Sequence, residues 1–125
     1  MRAMLQAGHR VLIPAITDYE IRRELTLQGK TQGLEALDRL HALGFLTLTP
    51  EALFRASILW ADVRRAGLST ADRHALDGDA ILAAQALTLE PSEWGQTGES
   101  VIIATMNVGH LSRFTPALLW SEIQP

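Results

Sequence analysis

The sequence predicts an α/β fold in which short buried strands alternate with amphipathic helices. Two short apolar runs, residues 11–13 and 101–104, and the alternating segment 45–49 are typical of buried strands. The segments between them are rich in Leu and Ala at helical spacing. Because strands that alternate with helices form βαβ units, we expect a mostly parallel sheet.

The composition fits one folded domain over residues 1–125 and excludes several classes of protein. The chain is 47% hydrophobic and 20% charged, which argues against intrinsic disorder. It contains no Cys, which excludes disulfides, thiolate catalysis and zinc-thiolate sites and fits a reducing, cytoplasmic location. The longest apolar runs have about five residues, whereas a membrane span needs ~20. The net charge of −3 provides no overall basic surface for nucleic acid.

Small polar residues stand where the predicted helices begin, and glycines stand where several of them end. Thr17 or Asp18 is expected to cap the first long helix, and Thr31 is expected to cap the second. Pro50 follows Thr49 at the first turn of the third helix. The predicted helices are the short stripe 1–7 and the segments 19–27, 31–43, 50–67 and 79–87, with a polar connector at 68–78 and an apolar tail at 116–123.

Oxygen-bearing side chains from three distant segments are expected to meet at one edge of the sheet. Glu20 follows the first predicted strand, Asp77 and Asp79 stand at the start of the most apolar helix, and Asn107 follows the last strand. The carboxyl ends of parallel strands are where such sheets bind ligands. Oxygen-only clusters suit hard cations, Mg²⁺ or Mn²⁺. Two such ions can activate water and stabilise the leaving oxygen in phosphodiester cleavage.

Each of these residues also has an ordinary structural explanation. Asp79 is a good N-cap for the apolar helix, and Asp77 would be favoured there by the helix dipole. Glu20 could be a solvated helix residue, and Asn107 could be a turn residue. Both explanations stay open, because only the convergence of the four side chains distinguishes a metal site.

Other candidate residues carry weaker signals. The histidines are scattered with no pair at metal-ligand spacing, and the chain has no nucleophile elbow and no Gly-rich phosphate loop. Several arginines could contact phosphates or serve as solvated surface residues: Arg22, Arg23, Arg64, Arg65, Arg73 and Arg113. The tryptophans are expected in the core or at an interface: Trp60, Trp94 and Trp120.

Three segments resemble conserved blocks of PIN domains, in the same order and with similar spacing. Residues 13–25 resemble the second block, with Glu20 at its acidic position. Residues 77–86 resemble the third block, an Asp followed by an apolar helix of small residues. Residues 103–111 resemble the fourth, a Thr-x-Asp/Asn turn after a strand. The resemblance covers nearly the whole chain and is closest to VapC-type toxins of bacterial toxin–antitoxin systems.

The resemblance implies a doubly wound parallel sheet with helices on both faces and the activity of a metal-dependent ribonuclease. In this family, acidic side chains at the carboxyl edge hold Mg²⁺ or Mn²⁺, and a metal-bound water cleaves the RNA phosphodiester. By resemblance, Glu20 and Asp79 are the catalytic acids, and Asp77 and Asn107 join them as metal ligands. Thr105 takes the hydroxyl position two residues before Asn107. The implied partners are RNA and an antitoxin protein.

The chain departs from the family pattern at its start. PIN domains begin with a strand that ends in an Asp, and nothing here matches it, so we expect an N-terminally truncated member. Without that Asp, and with neutral Asn107 in the fourth position, we expect poor cleavage of RNA. A missing strand would expose backbone groups, so we also expect a homodimer, helped by the apolar Leu118, Leu119 and Trp120. The alternative function is that of a non-catalytic, PIN-derived protein-interaction module.

Overall fold

The computed structural model describes residues 5–6, 8–67, 73–90, 101–104 and 117–118, and it has a mixed α/β composition in which helices predominate. Leu5 and Gln6 are helical. The elements that follow are β1 (Ile13–Pro14), α1 (Ala15–Leu27), α2 (Thr31–Leu43), β2 (Phe45–Leu46), α3 (Pro50–Arg65), α4 (Arg73–Leu87), β3 (Ile103–Ala104) and β4 (Ala117–Leu118).

The chain divides into two compact units, with the boundary between Leu48 and Thr49. The first unit contains β1, α1, α2 and β2, and the second contains α3, α4, β3 and β4. Each unit has one parallel strand pair. The parallel pairing expected from the alternation of strands and helices is confirmed for β1 and β2, which both lie in predicted strand segments. The pairs in register are Ile13 with Phe45, Pro14 with Leu46, Ile103 with Ala117 and Ala104 with Leu118.

The strands are shorter than the sequence predicts, and one of them was not predicted. β1, β2 and β3 each have two residues and overlap or adjoin the predicted segments 11–13, 45–49 and 101–104. β4 lies in the segment 116–123, for which the sequence predicts only an apolar tail. β4 pairs with β3, which lies more than ten residues away in the sequence. The pattern of neighbouring residues does not indicate such a distant partner, so it could not predict this strand.

In the first unit, α1 and α2 form the crossover that makes β1 and β2 parallel. α1 ends where predicted, because Gly29 adopts a positive φ of 66°. The Lys30 N–H then donates to the Leu25 carbonyl at 2.9 Å, and the Gly29 N–H donates to the Thr26 carbonyl at 3.1 Å. α2 spans Thr31–Leu43 as predicted, although Lys30 and not Thr31 is its N-cap residue.

The predicted cap of α1 is wrong. The helix begins at Ala15, directly after β1, and its N-cap residue is Pro14 in extended conformation. Pro has a fixed φ close to −65° that is compatible with the start of a helix, so no polar cap is needed for the chain to turn from strand to helix. Thr17 and Asp18 therefore lie inside the helix and not before it.

In the second unit, the predicted start of α3 is confirmed. The Thr49 hydroxyl accepts a hydrogen bond from the Ala52 N–H at 3.1 Å, and Pro50 occupies the first turn. α3 and α4 pack through small side chains, with buried Ala56 of α3 against Ala80 and Ala84 of α4. Larger side chains surround this contact: Leu59, Trp60 and Ile81. Trp60 therefore packs against the core, as the sequence suggests.

The predicted start of α4 is wrong by six residues. The helix begins at Arg73 and includes Asp77, Gly78 and Asp79, which the sequence assigned to a polar connector and a cap. Leu76 is buried, and its burial anchors the first turns of the helix. A Gly inside a helix costs only about 1 kcal/mol relative to Ala, so Gly78 does not end it.

None of the helices in the described ranges combines the length and the apolar character that a membrane-spanning segment requires.

Candidate functional site

Glu20 lies in the second turn of α1, six residues after β1 ends. Because α1 starts directly after the strand, Glu20 is placed near the carboxyl end of β1, where parallel sheets present their ligand-binding residues. Its side chain is half-buried. Among the described residues, none forms an ion pair or a side-chain hydrogen bond with its carboxylate. Glu20 is therefore available as a ligand.

Asp18, two residues earlier, is the most buried charged side chain in the described part of the first unit, at 8% exposure. Arg22 donates two hydrogen bonds to the Asp18 carboxylate. Its Nε donates to Oδ1 at 2.9 Å, and its Nη2 donates to Oδ2 at 3.1 Å. The remaining Nη1 of Arg22 donates to Oδ1 of Asp38 on α2 at 2.9 Å. Arg22 thus ties α1 to α2 through two carboxylates, and Asp18 is an ion-pair residue and not a helix cap.

The same contacts shift the pKa values of Asp18 and Arg22. The hydrogen bonds from Arg22 lower the pKa of Asp18 below its ordinary value of 3.8, against the opposing effect of burial. The two carboxylates in turn raise the pKa of Arg22. Both groups are therefore ionised at neutral pH. Because the guanidinium of Arg22 is already bound to two carboxylates and links α1 to α2, it is a poor candidate for a phosphate contact.

His41 lies beside the ion-pair cluster of Asp18, Arg22 and Asp38. The sequence pattern did not predict this cluster. The Nδ1 atom of His41 lies 3.7 Å from Oδ2 of Asp18, and the ring of His41 stacks on Phe45 with centroids 4.0 Å apart. The spacing of Asp18 and Arg22, four residues apart on one helix, is the sequence signal that predicts their ion pair. Asp38 and His41 are joined to it only because α2 packs beside α1.

Asp79 lies in the second unit, inside α4, as its seventh residue. Its side chain is half-buried, and its Oδ2 atom is shielded from solvent. The residues beside it in the helix are among the most buried in the chain, namely Ala80, Ala83 and Ala84. Asp77, two residues earlier, is exposed. The capping explanation for Asp79 is therefore wrong, since the helix begins six residues before it.

The candidate metal ligands fit a hard cation in chemistry, and those that the structure describes are divided between the two units. Glu20 belongs to the first unit, whereas Asp77 and Asp79 belong to the second. In the ranges that the structure describes, no three His, Asp or Glu side chains are grouped so as to hold a metal ion. Asn107 and Thr105 lie outside those ranges, as do Arg113, Trp94, Leu119 and Trp120. The donor set of carboxylate oxygens is the one that Mg²⁺ and Mn²⁺ prefer.

Comparisons with family models, curated proteins and solved structures found no match. The resemblance to PIN domains therefore rests on the three sequence segments, and it stays a prediction. What the structure adds is the local setting of each candidate residue: Glu20 on the helix that follows a parallel strand, and Asp79 inside a buried helix.

Proposed function

We propose that the chain is a metal-dependent ribonuclease of PIN type, in which Glu20 and Asp79 are the principal acidic residues and Asp77 and Asn107 assist them. The proposed fold is the doubly wound parallel sheet of that family, with helices on both faces. The ligand is Mg²⁺ or Mn²⁺, and the substrate is single-stranded RNA. When bound, such an ion would activate water and stabilise the leaving oxygen of the phosphodiester.

The position of Asp79 supports this proposal more than any other observation. Asp79 lies six residues past the start of α4, so a capping role does not account for it. One of its carboxylate oxygens is shielded from solvent, and its neighbours in the helix are buried alanines, among which an acidic side chain is uncommon. Carboxylate oxygens are the ligands that Mg²⁺ and Mn²⁺ prefer, so a divalent cation is a reason for an acid at this place.

Glu20 supports the proposal from the first unit. It stands near the carboxyl end of β1, is half-buried, and leaves its carboxylate available, whereas the neighbouring Asp18 is fully engaged by Arg22. In this arrangement Arg22 and Asp38 hold α1 against α2, which fixes the helix that carries Glu20. The chain therefore separates a structural acid from an available one within three residues.

Metal binding tests the proposal directly. Titration of the whole chain with Mn²⁺, followed by electron paramagnetic resonance of the free ion, should show saturable binding. Asp79→Asn and Glu20→Gln should each weaken it roughly tenfold or more. Glu24→Gln is the matched control, because Glu24 lies on the same helix as Glu20 but is exposed and directed to Arg23. Equal affinity of all four proteins would contradict the assigned ligands.

Cleavage is measured separately, with labelled single-stranded RNA, Mn²⁺ and protein in excess. We expect slow cleavage that Asp79→Asn abolishes, because the candidate site has few anionic ligands to hold the ion. If the folded chain neither binds Mn²⁺ nor cleaves RNA, the alternative of a non-catalytic interaction module is favoured. The exposed apolar residues of α3 are the observation that supports this second candidate.

A further inference from the structure

An exposed aromatic side chain stands directly beside Glu20 in α1. Tyr19 is 59% exposed, although an aromatic side chain gains free energy when its ring packs against other residues. Glu20 follows Tyr19 in the chain, so the Cα atoms of the two residues are about 3.8 Å apart. Both residues lie near the carboxyl end of β1, where parallel sheets bind their ligands. Tyr19 therefore borders the candidate site of the first unit.

Arg23 holds the Tyr19 ring from one side. The two residues are four apart in α1 and so share one face of the helix. The guanidinium carbon of Arg23 lies over the ring, 5.4 Å from its centroid, which is a cation–π contact that favours one orientation of the ring. Because Tyr19 is still 59% exposed, the opposite face of its ring is open to solvent. The side chain thus presents a flat, oriented surface.

We propose that the open face of Tyr19 stacks on a nucleobase of single-stranded RNA, and that Arg23 positions the ring for this contact. The base is the one beside the phosphate that reaches Glu20. This inference rests on the nuclease function proposed above and assigns Tyr19 to the positioning of the substrate. Proteins commonly hold single strands by stacking their bases on aromatic side chains, since every base has a π-face. The base, the ring and the guanidinium then form one continuous stack.

The arginines beside the ring are already engaged within the chain, so this contact depends on stacking and not on charge. Nε of Arg23 lies 3.9 Å from Oε1 of Glu24, and Arg22 is bound to the carboxylates of Asp18 and Asp38. Arg23 is therefore assigned to the ring and not to a phosphate. A purine offers a larger π-face than a pyrimidine, and preferences in such sites follow stacking strength. We expect the site to prefer a purine.

Binding of short RNA in EDTA tests the ring separately from metal binding and cleavage. The probe is a uridine hexamer with one central 2-aminopurine, whose fluorescence falls when the base stacks on an aromatic ring. The whole chain, titrated to millimolar concentration at low salt, should quench this fluorescence in a saturable way. Tyr19→Leu should weaken binding about tenfold, whereas Tyr19→Phe keeps the ring and should stay within about twofold of the wild type.

Two further variants separate stacking from other effects. Phe54→Leu is the matched control, because Phe54 is also an exposed aromatic residue but lies on α3 in the second unit, and its loss should leave binding unchanged. Arg23→Gln should weaken binding severalfold in the wild type and have no further effect when Tyr19→Leu is also present. It should also leave the salt dependence unchanged, whereas loss of a phosphate contact would reduce the slope of log affinity against log salt by about 0.7.

Competition by unlabelled hexamers completes the test. A uridine hexamer with one central adenosine should displace the probe from the wild type more effectively than the uridine hexamer does, and Tyr19→Leu should remove this difference. Circular dichroism establishes that the variants remain folded. Equal binding by wild type and Tyr19→Leu, or no quenching by the wild type, would overturn the inference. Titration with Mn²⁺ reports on the nuclease proposal independently, since Tyr19→Leu removes no carboxylate and should bind Mn²⁺ as the wild type does.

Discussion

The ion pair between Asp18 and Arg22 shows how a single buried carboxylate is kept charged in the first unit. Two hydrogen bonds from Arg22 compensate for the loss of water around Asp18, and the third contact of Arg22 reaches Asp38 on the neighbouring helix. A bidentate pair of this kind has favourable geometry, which most exposed ion pairs lack. Its contribution to stability should therefore be measurable.

We expect Asp18→Asn to lower the free energy of unfolding by about 1–2 kcal/mol at pH 7. The pKa of Asp18 is lowered in the folded state, so the stabilisation is present above the ordinary value of 3.8 and is lost as the pH falls through the lower folded value. The difference between wild type and variant should accordingly shrink below pH 3.8. Urea denaturation at pH 7 and at about pH 3 measures both quantities.

Glu24→Gln provides the comparison for that experiment. Glu24 and Arg23 are both exposed and 3.9 Å apart, so the loss of this pair should change stability by less than about 0.5 kcal/mol. If Asp18→Asn is as stable as the wild type at pH 7, the attraction within the Asp18–Arg22 pair does no more than offset its own desolvation.

At the element scale, the junction between α2 and β2 depends on the absence of a side chain at Gly44. A Cβ there would lie 2.6 Å from Cδ2 of Leu12 and 3.0 Å from the carbonyl oxygen of Val11. The Gly44 carbonyl accepts a hydrogen bond from the Ile13 N–H at 2.9 Å, which brings the two backbones together before the strands pair. The close approach is therefore part of how β1 and β2 find their register.

We expect Gly44→Ala to destabilise the chain by about 1–3 kcal/mol, because either Leu12 or the backbone must move. The double variant with Leu12→Ala should lose less than the sum of the two single changes, since it removes the closest of the two contacts. Thermal and urea denaturation of the four proteins measures this coupling. Strict additivity would contradict the steric explanation.

The chain consists of two compact units whose helices are held together by different contacts. The first unit joins its helices through the hydrogen bonds of Arg22 and the close approach of Gly33 to Leu25. The second joins α3 to α4 through alanines, with Trp60 at the side. The helices of the two units are therefore joined by different contacts, which include an ion pair in the first unit and small apolar side chains in the second.

We expect Ala84→Leu to destabilise the second unit by about 1–3 kcal/mol or more, because Ala84 is fully buried where α3 approaches α4. Ala66→Leu, at the exposed C-cap of α3, is the control of equal added volume and should have little effect. Amide hydrogen exchange locates the change, and the loss of protection should concentrate in α3 and α4. Equal loss throughout α1 and α2 would show that the two units unfold together.

Features that depend on neighbouring residues could be predicted from the amino-acid sequence. The Thr49 cap with Pro50 at the start of α3 and the end of α1 at Gly29 were predictable, because capping bonds and glycine conformations act within one turn. The bounds of α2 were predictable from the helical spacing of its leucines. The alternation of strand and helix segments likewise predicted the mixed α/β composition and the parallel pairing of β1 with β2. The single domain, the doubly wound sheet and the metal site remain predictions.

Features that depend on residues far apart in the chain could not be predicted from the sequence and became clear from the folded chain. Burial of Leu76 starts α4 six residues before Asp79 and removes the capping explanation for that carboxylate. The packing of α2 beside α1 brings Asp38 to Arg22, and the pairing of β4 with β3 joins segments that are remote in sequence. These contacts gain their free energy from partners that local propensity does not encode, so the sequence pattern alone could not predict them.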